Sequence, residues 1–404
     1  MFKEITRLYA PRRMLFGCGC LDSIGEEIKR LGGEKVLLVS DPGVKSAGLI
    51  DKVLDRLDEK GFSVDVFTNV QANPTTENVA EGLSLLGSGG SPVIVAVGGG
   101  SPIDAGKAIA ALATNGGEVR DYDGVDLLQK RMLPFVAVNT TAGTGSEVSR
   151  AAVITDTVRK WKIQVVDENV TPDVAIDDPL MTISLPQAPT AQTGMDALTH
   201  AIEGLVCINA SYITEALALR AISLITKNLR IAYADGSNVD ARTKVMYGQA
   251  AAGLAFTNAG VGNVHAMAHQ LGAVLDMPHG LANAVILPYV MEFNLIAREE
   301  KFAAAARAMG GDELYGLSNR TLATRACSMV VALNRDIGIP RSLKECDVKE
   351  DDLDMFVEKS MADGCVTLNP RHTNKRDMEE LWRRAYHGLL KDQTEEGVLR
   401  LYES

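Results

Sequence analysis

Between about residue 34 and residue 180, two hydrophobic patterns take turns along the chain. Short apolar runs rich in β-branched residues alternate with stretches whose apolar positions recur at the helical period. KVLLVSDPG runs a strand into a turn, and LIDKVLDRLDEKG is an amphipathic helix stopped by Gly61. SVDVFTNV is a strand, and TTENVAEGLSLLGSGG is a capped helix with a glycine stop. PVIVAVGGGSPIDAGKAIAALATNGG reads as strand, glycine turn and helix, and PFVAVNTTAGTGSEVS as a strand entering a Gly/Thr-rich loop. This alternation predicts an α/β domain: a parallel sheet with helices on both faces. From about residue 187 the strand pattern stops. ITEALALRAISLITKNL, ARTKVMYGQAAAGLAF, EEKFAAAARAMG and NRTLATRACSMVVALNRDIG all repeat at the helical period. DDPLMTISLPQAP, between the two patterns, carries prolines and little periodicity, as a domain joint should. At 404 residues the chain is long for one core. The expected organisation is an α/β domain over residues 1–185 and an all-α domain over 186–404.

Composition narrows the partners. Hydrophobic residues make up 46% and charged residues 23%, a globular balance. The net charge of −11 opposes a phosphate backbone, so no nucleic-acid partner is expected. LANAVILPYVMEFNLIA is interrupted by Asn283, Pro288, Glu292 and Asn294, and no membrane span is expected. MFKEITRLYAPRR has no apolar signal core, and the six cysteines are scattered without a CxxC pair. Together these point to a reduced, cytoplasmic protein.

The glycine turn is the first piece of candidate chemistry. VIVAVGGGSPIDAGKA ends a buried strand at Gly98-Gly99-Gly100. Ser101 then suits a helix N-cap, Pro102 the first helical position and Asp104 a capping-box acid. Glycines admit a close ligand, and free N–H groups at a helix start favour an anion such as a pyrophosphate. The stretch is neither GxGxxG nor a P-loop, and a plain strand–turn–helix with convenient glycines fits it as well. TTAGTGSE (140–147) is a second such loop at a strand end, and in an open parallel sheet both would lie along the carboxyl edge. That makes a Rossmann-like dinucleotide-binding domain the working expectation. Asp41, at the end of KVLLVSD, could accept hydrogen bonds from an adenosine ribose and repel a 2′-phosphate, favouring NAD over NADP. It also fits as a simple turn residue before Pro42-Gly43.

Four of the six histidines fall between residues 200 and 279: His200, His265, His269 and His279. In GMDALTHAIEG, Asp196 and His200 stand four apart on one helix face, and His265 and His269 repeat the spacing in GNVHAMAHQLG. His279, between Pro278 and Gly280, belongs on a loop or at a helix start. Imidazoles and a carboxylate in apolar surroundings need partners, and a shared divalent metal satisfies several at once. One carboxylate with several imidazoles suits Fe(II) or Zn(II), and ligand type does not choose between them.

The ordered series LFGCG, SDPG, NPT, GGGSPIDAGKA, TTAGTGSEVS, GMDALTHAIE, HAMAHQLG, PHGLANAVILPYVMEFN and LNPR resembles the iron-containing (group III) alcohol dehydrogenases over about residues 8–388. The likeness is greatest to NAD-dependent methanol, 1,3-propanediol and lactaldehyde-type members. The resemblance implies an N-terminal dinucleotide-binding domain, a helical C-terminal domain and a site in the cleft between them. It implies metal ligands at Asp196, His200, His265 and His279, and a non-ligand His269 close to the nicotinamide. It implies that Gly98, Gly99, Ser101, Asp104, Thr140, Thr141 and Thr144 line the NAD site, with Asn73 and Lys162 also on the cofactor side. Substrate-pocket positions fall on Ala151, Phe256 and Cys365. Lactaldehyde reductase-like proteins carry an amide where this chain has Ala151, which removes a group able to bind a second hydroxyl. Arg150 beside it is either a solvated strand-end arginine or a holder for an anionic substrate such as a hydroxysulfonate or hydroxy acid.

The expected reaction is reversible hydride transfer between a small primary alcohol and NAD⁺, aided by Fe²⁺, or Zn²⁺, as Lewis acid. His269 would relay a proton, orient the cofactor or pack against it. A polyol or glycerol dehydrogenase-like enzyme, a dehydroquinate synthase-like lyase and a non-catalytic iron-binding helical protein are the alternatives. GMDALTHAIE and HAMAHQLG speak against the first two, and the cofactor loops against the third. The family likeness implies a homodimer or larger assembly.

Overall fold

The computed structural model describes residues 6–86, 92–310, 314 and 316–390. Among these described residues nine strands precede Gln187: β1 (Arg13–Phe16), β2 (Lys35–Val39), β3 (Ser63–Phe67), β4 (Pro92–Gly98), β5 (Gly124–Val125), β6 (Phe135–Asn139), β7 (Ala151–Asp156), β8 (Trp161–Val166) and β9 (Val174–Asp177). Six form one sheet in the order β1-β9-β6-β4-β2-β3, every neighbouring pair parallel. The alternating pattern of the strands explains its two-sided burial. Leu37, Val39, Ile94 and Ala96 enter one core, and Val36, Leu38, Val93, Val95 and Val97 the other. The helix Gly100–Asn115 covers the first face, and the helices Ile24–Arg30 and Leu49–Asp58 the second. From β2 the chain steps to β3 on one side and then crosses back to β4 on the other. That reversal opens a crevice at the carboxyl ends of β2 and β4, the place where such sheets bind ligands.

Several short elements escaped the sequence pattern. β1 is an edge strand of four residues, outside the predicted stretch, and it pairs with β9. β7 and β8 form an antiparallel hairpin, extended by β5 into a second sheet of three strands. The capped helix at TTENVAEGLS is Thr76–Ser84, with a Thr75/Asn78 capping box. The glycine stop expected at Gly87–Gly90 lies outside the described residues.

Among the described residues no strand follows Asp177. The long helices among the described residues after Asp177 are Gln187–Val206, Tyr212–Ala234, Val239–Ala259, Asn263–Leu275, His279–Asn294, Glu299–Gly310, Asn319–Asp336 and Lys375–His387. They share one core with Ile222, Ile225, Met267, Ile286, Phe302 and Trp382 at its heart. The segment His279–Ala297 is long and apolar enough by length and composition to cross a membrane, against the expectation from its polar residues. It is 72% buried inside the helical core, which accounts for its apolar character. None of the six cysteines, all among the described residues, is in a disulfide.

Candidate active site

The glycine turn after β4 is built differently from its sequence reading. Gly99, not Ser101, is the N-cap, and the helix begins at Gly100, so Pro102 is its third residue. Ser101 Oγ instead donates to the carbonyl of Ala72. Asp104 does not cap. It is buried between helix and hairpin, and accepts the Val153 N–H at 3.0 Å. The three glycines are needed for close approach. A Cβ on Gly98, whose φ is +152°, would stand 2.5 Å from the Pro102 ring. One on Gly99 would meet Thr141 Cγ2 at 3.0 Å, and one on Gly100 would meet Thr144 Cγ2 at 2.8 Å. The two loops therefore interlock at the carboxyl edge of β4 and β6, where Thr140 N–H donates to Gly98 O at 3.0 Å. Asp41, after β2, caps the short helix Pro42–Ser46 through the Val44 N–H at 2.9 Å.

A cavity of about 550 Å³ opens between these loops and the helical half. Ser101, Asp104, Thr144, Asn73 and Lys162 are on its wall, and Gly98, Gly99, Thr140 and Thr141 lie behind them in the loop contact. Lys162 Nζ donates to Asn73 Oδ1 at 2.7 Å and Thr155 Oγ1 at 2.9 Å. Burial pushes this ammonium down to about 8, against the pull of Asp276 and Asp104. Asn73 in turn donates to Asp276, so this wall ties the sheet half to the helical half.

Three helices bring the other wall together. Gln187–Val206 carries Asp196 and His200, Asn263–Leu275 carries His265 and His269, and His279 opens the third, with Pro278 as its N-cap. Gly280 makes the crossing possible: a Cβ there would lie 2.3 Å from Gln192 O. One ligand atom from each of Asp196, His200, His265 and His279 lies within 4.8 Å of the others. Burial pushes His265 and His279 well below the usual histidine value, so their rings are neutral at pH 7 with lone pairs available. The Asn283 amide nitrogen stands among them, 2.7 Å from Asp196 Oδ1, 3.0 Å from His279 Nε2 and 3.3 Å from His265 Nε2. An amide has two protons, and three acceptors converge on it. His200 Nδ1 is also buried without a partner. This surplus of lone pairs around one point is what a divalent cation satisfies, so the donor set fits a metal. Glu203 completes the arrangement: Oε2 is 2.5 Å from His265 Nδ1 and Oε1 accepts the Val264 N–H at 2.8 Å. Burial raises its carboxyl to about 7.

The two halves of the chain match descriptions of one family. Residues 11–179 match the family described as iron-containing alcohol dehydrogenase, and residues 190–386 match the Fe-containing alcohol dehydrogenase family, C-terminal. The chain belongs to the iron-containing alcohol dehydrogenase family. A 1,3-propanediol dehydrogenase of Klebsiella pneumoniae is 46% identical over 378 residues, covering 93% of this chain and 97% of that protein. The NAD-dependent methanol dehydrogenase of Bacillus methanolicus is 39% identical over 381 residues, covering 94% and 100%. The crystal structure of a 1,3-propanediol oxidoreductase superposes with a TM-score of 0.92 at 45% identity, over 95% of this chain and all of that one.

In this iron-containing alcohol dehydrogenase the remaining expected residues also meet at the cavity. Phe256 stacks on His200 with centroids 4.2 Å apart, and Ala151, Cys365 and Arg150 are on the wall. Arg150 is not simply solvated. Its guanidinium lies 4.6 Å from the Tyr9 ring centre and 3.2 Å from Asp126 Oδ1, and Nε is buried without a partner. His269 Nδ1 is 2.8 Å from Asp363 Oδ2, and its ring stacks 5.5 Å from that of His279. Sequence reasoning missed Glu203, Gly280, Asn283 and Asp363. Glu203 and Asn283 were findable, since they continue the faces of Asp196/His200 and His279 at helical spacing. Gly280 and Asp363 give no such signal, because their partners are remote in sequence.

Proposed function

We propose that the protein interconverts a small primary alcohol and its aldehyde by NAD(H)-linked, metal-assisted hydride transfer. The observation that carries this is the convergence of Asp196, His200, His265 and His279 on one point of a cavity whose opposite wall is two glycine/threonine loops at a sheet switch point. A bound divalent cation supplies Lewis acidity toward the alcohol hydroxyl, and NAD⁺ supplies the hydride acceptor. Asp196 and the three imidazoles hold the cation, and the free N–H groups at the start of Gly100–Asn115 face the cofactor phosphates. Asp41, at the end of β2, favours NAD by opposing a 2′-phosphate. Phe256 and Ala151 limit the substrate to a small chain, and His269 takes up the hydroxyl proton or orients the cofactor. The names of the two relatives support NAD and short alcohols as the chemistry.

A second substrate class has one observation in its favour. The unpartnered Nε of Arg150 would suit an anionic alcohol such as a hydroxysulfonate. NADH formation at 340 nm should be measured with ethanol, 1,3-propanediol, 1,2-propanediol and isethionate, with and without chelator. Chelator-sensitive oxidation of a neutral alcohol is the expected result. No NADH from any of them with metal-loaded protein would overturn the proposal. A rise in KM for isethionate alone in Arg150→Ala would select the anionic class.

A further inference from the structure

We propose that Asp363 is a positioning residue that locks neutral His269 in its Nδ1–H tautomer, leaving Nε2 bare so that the neutral ring can only accept a proton or hydrogen bond in the cavity. The part of this that concerns turnover rests on the alcohol dehydrogenase reading above.

The geometry is that of a fixed carboxylate–imidazole pair. Nδ1 and Oδ2 are 2.8 Å apart, and both side chains are buried, 7% and 2% exposed. Asp363 is itself anchored. It is the N-cap of the short turn Gly364–Leu368, where Oδ1 accepts the Cys365 N–H at 2.9 Å, and Gln164 Nε2 lies 3.4 and 3.3 Å from its two oxygens. Burial alone would raise this carboxyl, but His269 and the Cys365 N–H outweigh it and hold it below the usual value. An ionised carboxylate has no proton to give, so the shared proton is on Nδ1. In neutral imidazole that fixes Nε2 as the lone-pair nitrogen.

His265, one helical turn earlier, also has a buried carboxyl group at Nδ1, that of Glu203. There the bare Nε2 faces Asp196 and Asn283 among the metal ligands. For His269, among the described residues, only Nδ1 has a hydrogen-bond partner, and the ring lines the cavity. One helix thus carries two imidazoles whose Nδ1 meets a buried carboxyl group, the first with its Nε2 among the proposed metal ligands and the second with its Nε2 uncommitted. While neutral, the ring can there receive a hydroxyl proton or a cofactor N–H or O–H, and only the imidazolium so formed can return a proton in the reverse direction.

The test is the tautomer itself, read by nitrogen NMR on histidine-labelled, full-length protein loaded with diamagnetic Zn(II). The sequence holds six histidines, and His269→Gln assigns the ring concerned. The expected result is a protonated Nδ1 and a pyridine-type Nε2 at His269. In Asp363→Asn the Cys365 N–H keeps the amide oxygen in place, which turns the amide NH₂ toward Nδ1 and moves the ring proton to Nε2. Turnover should then fall at least ten-fold, with alcohol KM and NADH affinity within about three-fold, since the swap removes an acceptor without removing contacts. A protonated Nε2 in the wild type overturns the proposal without recourse to any variant. An unchanged tautomer in Asp363→Asn overturns the role of Asp363. A flipped tautomer with unchanged turnover upholds the positioning by Asp363 and instead removes His269 from the proposed reaction.

Discussion

Glu203→Gln is the sharpest probe of the proposed metal centre because it changes one atom and not the shape. Glu203 is 3% exposed and spans two acceptor duties, the Val264 N–H through Oε1 and His265 Nδ1 through Oε2. In the glutamine, Oε1 can keep Val264, but an amide NH₂ then faces Nδ1–H. Two donors cannot share that contact, so the imidazole proton moves to Nε2, the atom that faces Asp196 and Asn283. Losing an outer carboxylate on a ligating histidine lowers metal affinity about 10- to 100-fold, or about 1.4–2.7 kcal/mol. Folding of the metal-free protein should fall by about 1–3 kcal/mol, one charged hydrogen bond being lost. Glu203→Ala strands both donors and should cost about 2–5 kcal/mol. Metal affinity is read by competition against graded chelator with elemental analysis, and folding by urea titration of the metal-free forms. The reasoning fails if Glu203→Gln holds metal within three-fold of wild type while its stability drops as far as that of Glu203→Ala.

Other predictions address separate links. Gly280→Ala places a Cβ 2.3 Å from Gln192 O, forcing apart the helices that bear His279 and Asp196; metal content should drop sharply, with about 1–3 kcal/mol lost in urea titration. Lys107 is fully buried, donates to Ser149 O at 2.9 Å and Ala151 O at 2.8 Å, and is pushed by burial down to about 8 from 10.5. Between those two values the unfolded chain binds more protons than the folded one, so this lysine's contribution to stability rises with pH. At about 1.4 kcal/mol per pH unit, the stability of wild type relative to Lys107→Met should climb by about 3 kcal/mol from pH 8 to 10.5, and a flat difference in urea titrations would refute this. Stripping the metal should lower Tm by several degrees, restored by Fe(II) or Zn(II) in a concentration-dependent way, as linkage requires for a ligand of the folded state. Phe256→Ala opens the wall beside His200, and longer primary alcohols should gain relative kcat/KM over ethanol.

The larger architecture was legible because it rests on local periodicity. The runs KVLLV and VIVAVG alternate into two buried cores, and the helical half repeats its apolar positions over long segments. What stayed hidden depends on distant pairing. β1 is four residues whose strand partner, β9, lies far along the chain, and β7 and β8 turn back on each other just after the predicted Gly/Thr loop, in a stretch to which the sequence pattern assigned no hairpin. The site divides the same way. Asp196, His200, His265 and His279 stand out because buried imidazoles at helical spacing are hard to satisfy otherwise, and the family likeness separated His269 from them. The Ser101 cap failed because local capping preference was overridden: the loop needs Gly99 against Thr141, which starts the helix earlier and frees Ser101 for Ala72. Asp363 could not be inferred, since a lone aspartate before a turn has no periodic signature.

The contact between the two glycine/threonine loops has a bearing on how this sequence can drift. Gly99 and Thr141 occupy one another's only room, as do Gly100 and Thr144. A side chain at either glycine finds room only where the threonine opposite has given way to a smaller residue. Positions 99 and 100 should therefore stay glycine in lineages that keep Thr141 and Thr144, and any departure from glycine should follow a reduction of its threonine partner.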